Sequence, residues 1–295
     1  MPCFAGLKRK ALALAVCACA LSAHAIGVDD GDYAYAPDRT VFNLVYLHHF
    51  EAKGLYAKGQ KVSDDARLSG DVMILRSAQY FDVLDHHSLV PQFLLPLGQF
   101  RTGGSLAGAG VTSGVGDLIL ALPFHFNRDV TGREDLAVTT YLWVPTGDYN
   151  RNNLINPLGE NRWKLALQLG NTIKVSEAVS LELVGDVRFQ SQNDDFGPAG
   201  ATMTQKPVYE LQTHVRYFLT PGTFIGANVS HIFGGETRVD GVAQQDRQKL
   251  TKMLFSVGHM LRPDLQILGS VGKDASVRTG LKEESRFNLR FLKIY

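Results

Sequence analysis

The chain has 295 residues, 45% of them hydrophobic and 20% charged, with a formal net charge of +1; this composition supports a packed fold and excludes whole-chain disorder. Past residue 25 no run of about 18 apolar residues occurs, so a helical membrane span is excluded as well. Length alone admits two ordinary domains or one large barrel-type domain.

The first predicted element is a secretory signal peptide over 1–25. Lys8, Arg9 and Lys10 form a basic patch, Ala11 to Leu21 is an apolar stretch too short to span a bilayer, and Ala23-His24-Ala25 is a small-x-small cleavage site. A short buried helix is the competing reading. Removing these residues takes away three basic and no acidic side chains, leaving 27 against 29 and a net charge of −2. No basic surplus then remains to argue for a nucleic-acid partner. Cys3, Cys17 and Cys19 all lie within the segment, so the mature chain has no disulfide, thiol nucleophile or cysteine metal ligand. A lipid anchor at Cys17 or Cys19 is the alternative, which Val16 and the short run before it fit poorly.

Residues 26–38 carry Asp29, Asp30, Asp32, Tyr33, Tyr35 and Pro37 without sustained alternation. This segment is expected either to hang in the periplasm or to plug a lumen, with Arg188 and Arg216 as candidate partners for its acids.

From Arg39 to the end, segments of 10 to 15 residues alternate apolar and polar side chains, the period of a β-strand. Twelve are predicted: 39–51, 69–82, 88–99, 114–127, 135–146, 161–175, 179–192, 206–219, 222–235, 249–261, 264–275 and 285–295. In the seventh, Val179, Leu181, Leu183, Gly185, Val187 and Phe189 oppose Ser180, Glu182, Asp186, Arg188 and Gln190, and Val184 breaks the polar row. Segments 69–82 and 135–146 have mixed faces. Connections after even-numbered strands are short, with Pro221-Gly222 and Pro263-Asp264 as turn dipeptides. The stretches 52–68, 100–113, 147–160, 193–205, 236–248 and 276–284 are longer, polar and glycine-rich.

Alternating short and long connections are the habit of outer-membrane barrels, with short periplasmic turns and long extracellular loops. Strands of this length can cross a bilayer, and closure leaves no strand edge unpaired in lipid. The sequence therefore predicts an all-β, single transmembrane antiparallel β-barrel of about 12 strands over 39–295, in the bacterial outer membrane. Phe287, Leu289, Phe291 and the terminal Tyr295 share a face of the last strand, the type of ending that barrel-insertion machinery reads. Lys293 interrupts that face, and a lysine near the interface extends its charge toward water.

With apolar rows facing lipid, the polar rows face a lumen. Asp117 and His125 come from the fourth strand, Lys164, Gln168 and Lys174 from the sixth, Glu182, Asp186, Arg188 and Gln190 from the seventh, and Glu210, Gln212, His214 and Arg216 from the eighth. One reading is a polar pathway whose charges select solutes; the other is a salt-bridge network filling the interior. Twelve strands lie between filled and open barrels and admit either.

Other chemistry fails its context. His48-His49 and His86-His87 are adjacent, and adjacent side chains on a strand diverge; only the second pair falls in a predicted turn, and no metal site or cofactor is expected. Gly103, Gly104, Gly108 and Gly110 lack the Gly-Lys-Ser/Thr of a phosphate loop. No Gly-x-Ser-x-Gly elbow occurs, and Ser230-His231, the nearest candidate for a lipid hydrolase, diverge as neighbours. No catalytic residue is assigned, and the chain is not expected to be an enzyme.

One block is more specific than the periodicity. Val144-Pro145-Thr146-Gly147-Asp148-Tyr149, followed by Asn156, Gly159, Asn161, Arg162 and Trp163, resembles the central signature of the outer-membrane family associated with the meta-cleavage pathway of phenol degradation. The upstream Gly114-Val115-Gly116-Asp117-Leu118 and the terminal strand are similar to that family too. The resemblance implies a barrel channel for uptake of hydrophobic or aromatic compounds. Physically, Pro145 and Gly147 end a strand, and Trp143 and Trp163 are expected to flank the loop in an aromatic girdle; structural duty is favoured over solute gating for this block. The leading expectation is passive passage of small solutes, with outer-membrane lipid and those solutes as partners. A non-conducting surface barrel acting through its loops is the alternative, and an outer-membrane lipid hydrolase stands behind both.

Overall fold

The computed structural model describes residues 27–33, 36–84, 87–128, 134–153, 155 and 158–295. The predicted signal peptide, Tyr35, His86 and Asn156 lie outside the described residues. No helix among the described residues is long and apolar enough to cross a membrane; the crossing elements are strands.

In chain order these are β1 (Val41–Ala57), β2 (Gln60–Gln79), β3 (Phe81–Leu84), β4 (His87–Leu89), β5 (Gln92–Gly103), β6 (Val111–Val115), β7 (Leu118–Arg128), β8 (Glu134–Val144), β9 (Lys164–Lys174) and β10 (Val179–Gln190). There follow β11 (Asn193–Phe196), β12 (Ala201–Gln205), β13 (Val208–Thr220), β14 (Thr223–Gly234), β15 (Thr237–Val239), β16 (Val242–Ala243), β17 (Gln248–Arg262), β18 (Leu265–Val277) and β19 (Gly280–Ile294). Each wall strand pairs antiparallel with its neighbours, and β1 pairs with β19 from Phe42 opposite Ile294 to Tyr56 opposite Gly280. That last pairing closes the sheet into a barrel.

Several short strands are pieces of one wall strand. Ala78 lies opposite Gln92 and Phe81 opposite Leu89 in unbroken register, so β2 with β3 and β4 with β5 form one hairpin interrupted near Tyr80 and Pro91. Proline has no N–H to give a ladder, which accounts for the break on its side. Similarly β6 and β7 are one strand with a one-residue shift at Gly116-Asp117, since Leu97 faces Val115 while Leu94 faces Ile119. Counted so, the wall has the predicted twelve antiparallel strands.

Sequence alternation becomes in and out. Along β13 Val208, Glu210, Gln212, His214 and Arg216 are buried, while Tyr209, Leu211, Val215 and Tyr217 are exposed. Leu165, Leu167 and Leu169 of β9 likewise point outward from a row that buries Lys164, Ala166 and Gln168. In water such an apolar exterior would be a liability; in lipid it is the solvated face.

Two features differ from the expected loops. Residues 52–68 and 276–284 continue the strands: β1 and β2 meet at a Lys58-Gly59 turn, and β18 and β19 at Arg278-Thr279. Both residues of the first turn have positive φ, 53° and 83°, the geometry of a tight hairpin. Beyond the lipid both strand faces meet water, so alternation fades although pairing persists. Residues 193–205 and 236–248 supply β11, β12, β15 and β16, a separate four-stranded sheet. The wall thus has a loop end, carrying these additions, and a turn end with connections such as Pro221-Gly222 and both ends of the barrel chain. There Val41 N–H donates to the Tyr295 carbonyl (3.2 Å), and Tyr295 N–H donates back to Val41 (2.9 Å).

Candidate functional site: a lumen closed at two levels

Toward the turn end the interior is crossed by residues 27–33. Asp32 bridges two wall arginines, its Oδ2 2.9 Å from Arg76 and its Oδ1 2.9 Å from Arg290. Asn228 Nδ2 donates to His214 Nε2 (2.9 Å), leaving His214 Nδ1 to donate to Asp30 (2.8 Å), and Ser256 Oγ donates to the same carboxylate. Tyr33 OH donates to Gln168 Oε1 (2.5 Å), Gly31 N–H to Glu182 (3.2 Å) and Val28 N–H to Gln212 (3.3 Å). Val28 and Tyr33 pack on Ala137 and Val184 in a small apolar cluster. A β-carbon at Gly170 would strike the Tyr33 ring, and one at Gly226 would strike Asp30 and Ser256. Wall glycines and an alanine therefore make the room that the segment fills. The arginines that hold its acids are Arg76 and Arg290, not the expected Arg188. Arg216 lies beside it, covering Gly31 and standing 3.9 Å from Glu182.

The loop end is narrowed differently, by the described residues of 145–163, which fold onto the Gly116-Asp117 break. Asp117 is buried, and its two oxygens accept from Gly147 N–H (3.1 Å) and Glu160 N–H (3.2 Å). Asp148 exchanges two bonds with Val115, both 2.8 Å, and Thr146 Oγ1 accepts from Leu118 N–H (3.1 Å). A β-carbon at Gly147 would meet the backbone of Gly116 and Asp117, and one at Gly159 the backbone of Asp148. Tyr149 OH donates to the Asp195 carbonyl (2.9 Å), and Asn161 Nδ2 to Asn193 Oδ1 (3.1 Å). Beneath this knot Ile155 and Leu158 join Phe50, Leu68 and Phe100 in an apolar cluster. The block thus braces an interrupted wall strand.

Between the two closures lies a charged layer. Glu160 bonds Lys164 Nζ (2.7 Å) and Arg162 (2.5 Å). Burial alone would push Glu160 up, but Lys164 and Arg162 outweigh it and hold its carboxyl well below the usual carboxylate range. Arg188 and Glu210 are buried nearby in the inward rows, and Asp186 accepts from Gln168 Nε2 (3.3 Å). His125 sits at the turn end and pairs with Asp135 at 2.9 Å. Lys174 instead makes an exposed ion pair with Glu177 at 2.9 Å. Sequence reasoning missed a second cluster: Lys252 and Arg286 bind Glu283 at 2.8 and 2.6 Å.

One expectation is corrected. Trp143 is 1% exposed and packs inside on Ile119 and Ala166, with Lys164 Nζ 5.3 Å from its ring. It sits opposite Lys164 in the ladder and so shares its inward face; only Trp163, 49% exposed, points outward as a girdle residue would. Tyr295 is exposed at the turn end, with Lys293 Nζ over its ring. Ser230 and His231 diverge, Ser230 buried and His231 bonded to Thr251 (2.8 Å).

Comparison with known proteins places this arrangement. The family model described as "Putative MetA-pathway of phenol degradation" matches residues 53–291. The chain belongs to this family. An outer membrane channel from Pseudomonas putida F1, known from its crystal structure, is 38% identical, with 91% of this chain and 100% of that chain covered and a TM-score of 0.89. The transport unit of the autotransporter AIDA-I from Escherichia coli is 8% identical over 93% and 94% of the two chains, with a TM-score of 0.50, a likeness of fold alone. No curated protein matches the chain.

Between the N-terminal segment and the turn end lies a cavity of about 460 Å³. Phe42, Leu44, Tyr80, Val90 and Ile294 form its apolar wall, while Asp32, Arg76 and Arg290 reach it from the segment side.

Proposed function

We propose that this family member is an outer-membrane channel for passive passage of small hydrophobic or aromatic solutes. The cavity carries the reading: a barrel built only to stand in the membrane has no use for a chamber of small-molecule size, roughly 300–1,000 Å³, with an apolar wall on one side and buried charges on the other. Similarity, at 38% identity, to an outer membrane channel along that protein's whole length supports it. In this reading the N-terminal segment and the 145–163 loop are the two barriers a solute passes. The buried charges Lys164, Glu182, Asp186, Arg188, Glu210, His214 and Arg216, with His125 at the exit, set which solutes cross. Asp117 acts indirectly, by holding the loop.

The test is a planar-bilayer recording of the refolded mature chain, with small aromatic acids added. Discrete current steps that aromatics block support the channel, and Arg188→Glu should alter ion selectivity in a barrel that still folds. A silent, folded barrel would overturn it. The second reading, a surface role through the loops, draws support from the four-stranded sheet at the loop end and is what a silent barrel would favour.

A further inference from the structure

The Asp32 carboxylate is held as a bound ligand would be. Each oxygen takes one guanidinium, Arg76 on one side and Arg290 on the other, both at 2.9 Å. Tyr46 OH and Gln92 fix Arg76 (2.9 and 2.6 Å), and Gln266 fixes Arg290 (2.8 Å). These supports come from β1, β5 and β18, so the receptor belongs to the wall while its present occupant belongs to the N-terminal segment. Wall-held arginines in fixed geometry recognise any carboxylate presented to them. Arg76 and Arg290 both line the chamber, across from the apolar side chains of Phe42, Tyr80 and Ile294.

We propose that this chamber is a binding site for small aromatic monocarboxylates, in which the ligand carboxylate replaces Asp32 between Arg76 and Arg290 and its ring lies against Phe42 and Tyr80. The inference rests on the channel reading and names the class of solute. Charge decides for replacement over addition. Asp29, 3.6 Å from Arg290, and Asp32 already balance the two guanidiniums, and a third carboxylate would leave an unmatched buried charge. Exchange keeps the balance. Ligand binding and the seating of Asp32 are then mutually exclusive, and because Tyr33, Ala36 and Pro37 also line the chamber, the arriving solute loosens the segment that confines it. A neutral aromatic has no carboxylate to exchange and leaves Asp32 seated.

The test is calorimetric titration of the full mature chain in detergent with sodium benzoate and, separately, benzyl alcohol. Asp32→Asn removes the competing charge without touching a wall ladder. Benzoate should bind this variant at least about tenfold more tightly than the unaltered protein, with benzyl alcohol unchanged, and Arg290→Gln in the same background should abolish the gain. Asp32→Ser is the second variant and must give the same ordering. Equal benzoate affinity with and without Asp32, or an equal gain for benzyl alcohol, overturns the site. Benzoate flux with unaltered binding would overturn the site and leave the channel standing. Tighter benzoate binding by a barrel that carries no current would keep the site and overturn the channel.

Discussion

The two closures of this lumen are made by different physics. At the turn end a remote piece of chain is held by charge: Asp30 and Asp32 reach His214, Arg76 and Arg290, residues about 44 to 258 positions away. At the loop end a segment continuous with the wall is held by backbone hydrogen bonds to Asp117 and Asp148 and by an apolar cluster around Phe50 and Phe100. A charged latch can be exchanged for another ion of like shape, whereas a backbone knot must be broken to open. In the channel reading the first closure is therefore the easier of the two barriers for a solute to displace, and the second also braces the wall.

Removing residues 26–38 from the mature chain breaks the comparison most directly. Single-channel conductance should rise several-fold while the heat-modifiable band of a folded barrel persists; unchanged conductance would make the loop the sole barrier. Asp117→Ala strikes the other closure. It strips an acceptor from Gly147 and Glu160 N–H, at about 1–3 kcal/mol for each group left unpaired, and should speed proteolysis within 147–160 and lower the unfolding temperature. Gly170→Leu sharpens the contrast, since its side chain takes the place of the Tyr33 ring. Overpacking of about 1–3 kcal/mol should lengthen open dwell times with wall stability nearly kept. Tyr33→Phe is the mildest, losing the bond to Gln168, worth about 0.5–1.5 kcal/mol, and a long one with Thr139 (3.5 Å), and should raise the open fraction slightly in the same recordings.

How much of this was legible follows from where lipid imposes a rule. Rows such as Leu165, Leu167 and Leu169 against Lys164 and Gln168 announce a wall strand because one side must be apolar. The hairpin extensions beyond Glu51 and Ala275 obey no such rule, so they read as loops. The plug has no periodicity, and its trace lay in the wall: Val184 interrupting a polar row marks the spot where Val28 and Tyr33 pack. Arg290 was within reach, since Phe287, Leu289 and Phe291 facing out put it inward. Arg76 lay in a strand whose two faces are mixed and could not be assigned. Trp143 misled because a large aromatic beside a loop suits a girdle as well as an interior, and only its ladder partner Lys164 decides.

The contacts of residues 28–33 come from β2, β8, β9, β10, β13, β17 and β19. Since Arg290 lies on β19, which closes the barrel against β1, half of the Asp32 bridge does not exist until those two strands have met. Full docking of residues 28–33 is thus a signature of completed assembly: without β19 in place the Asp32 bridge has one anchor in place of two.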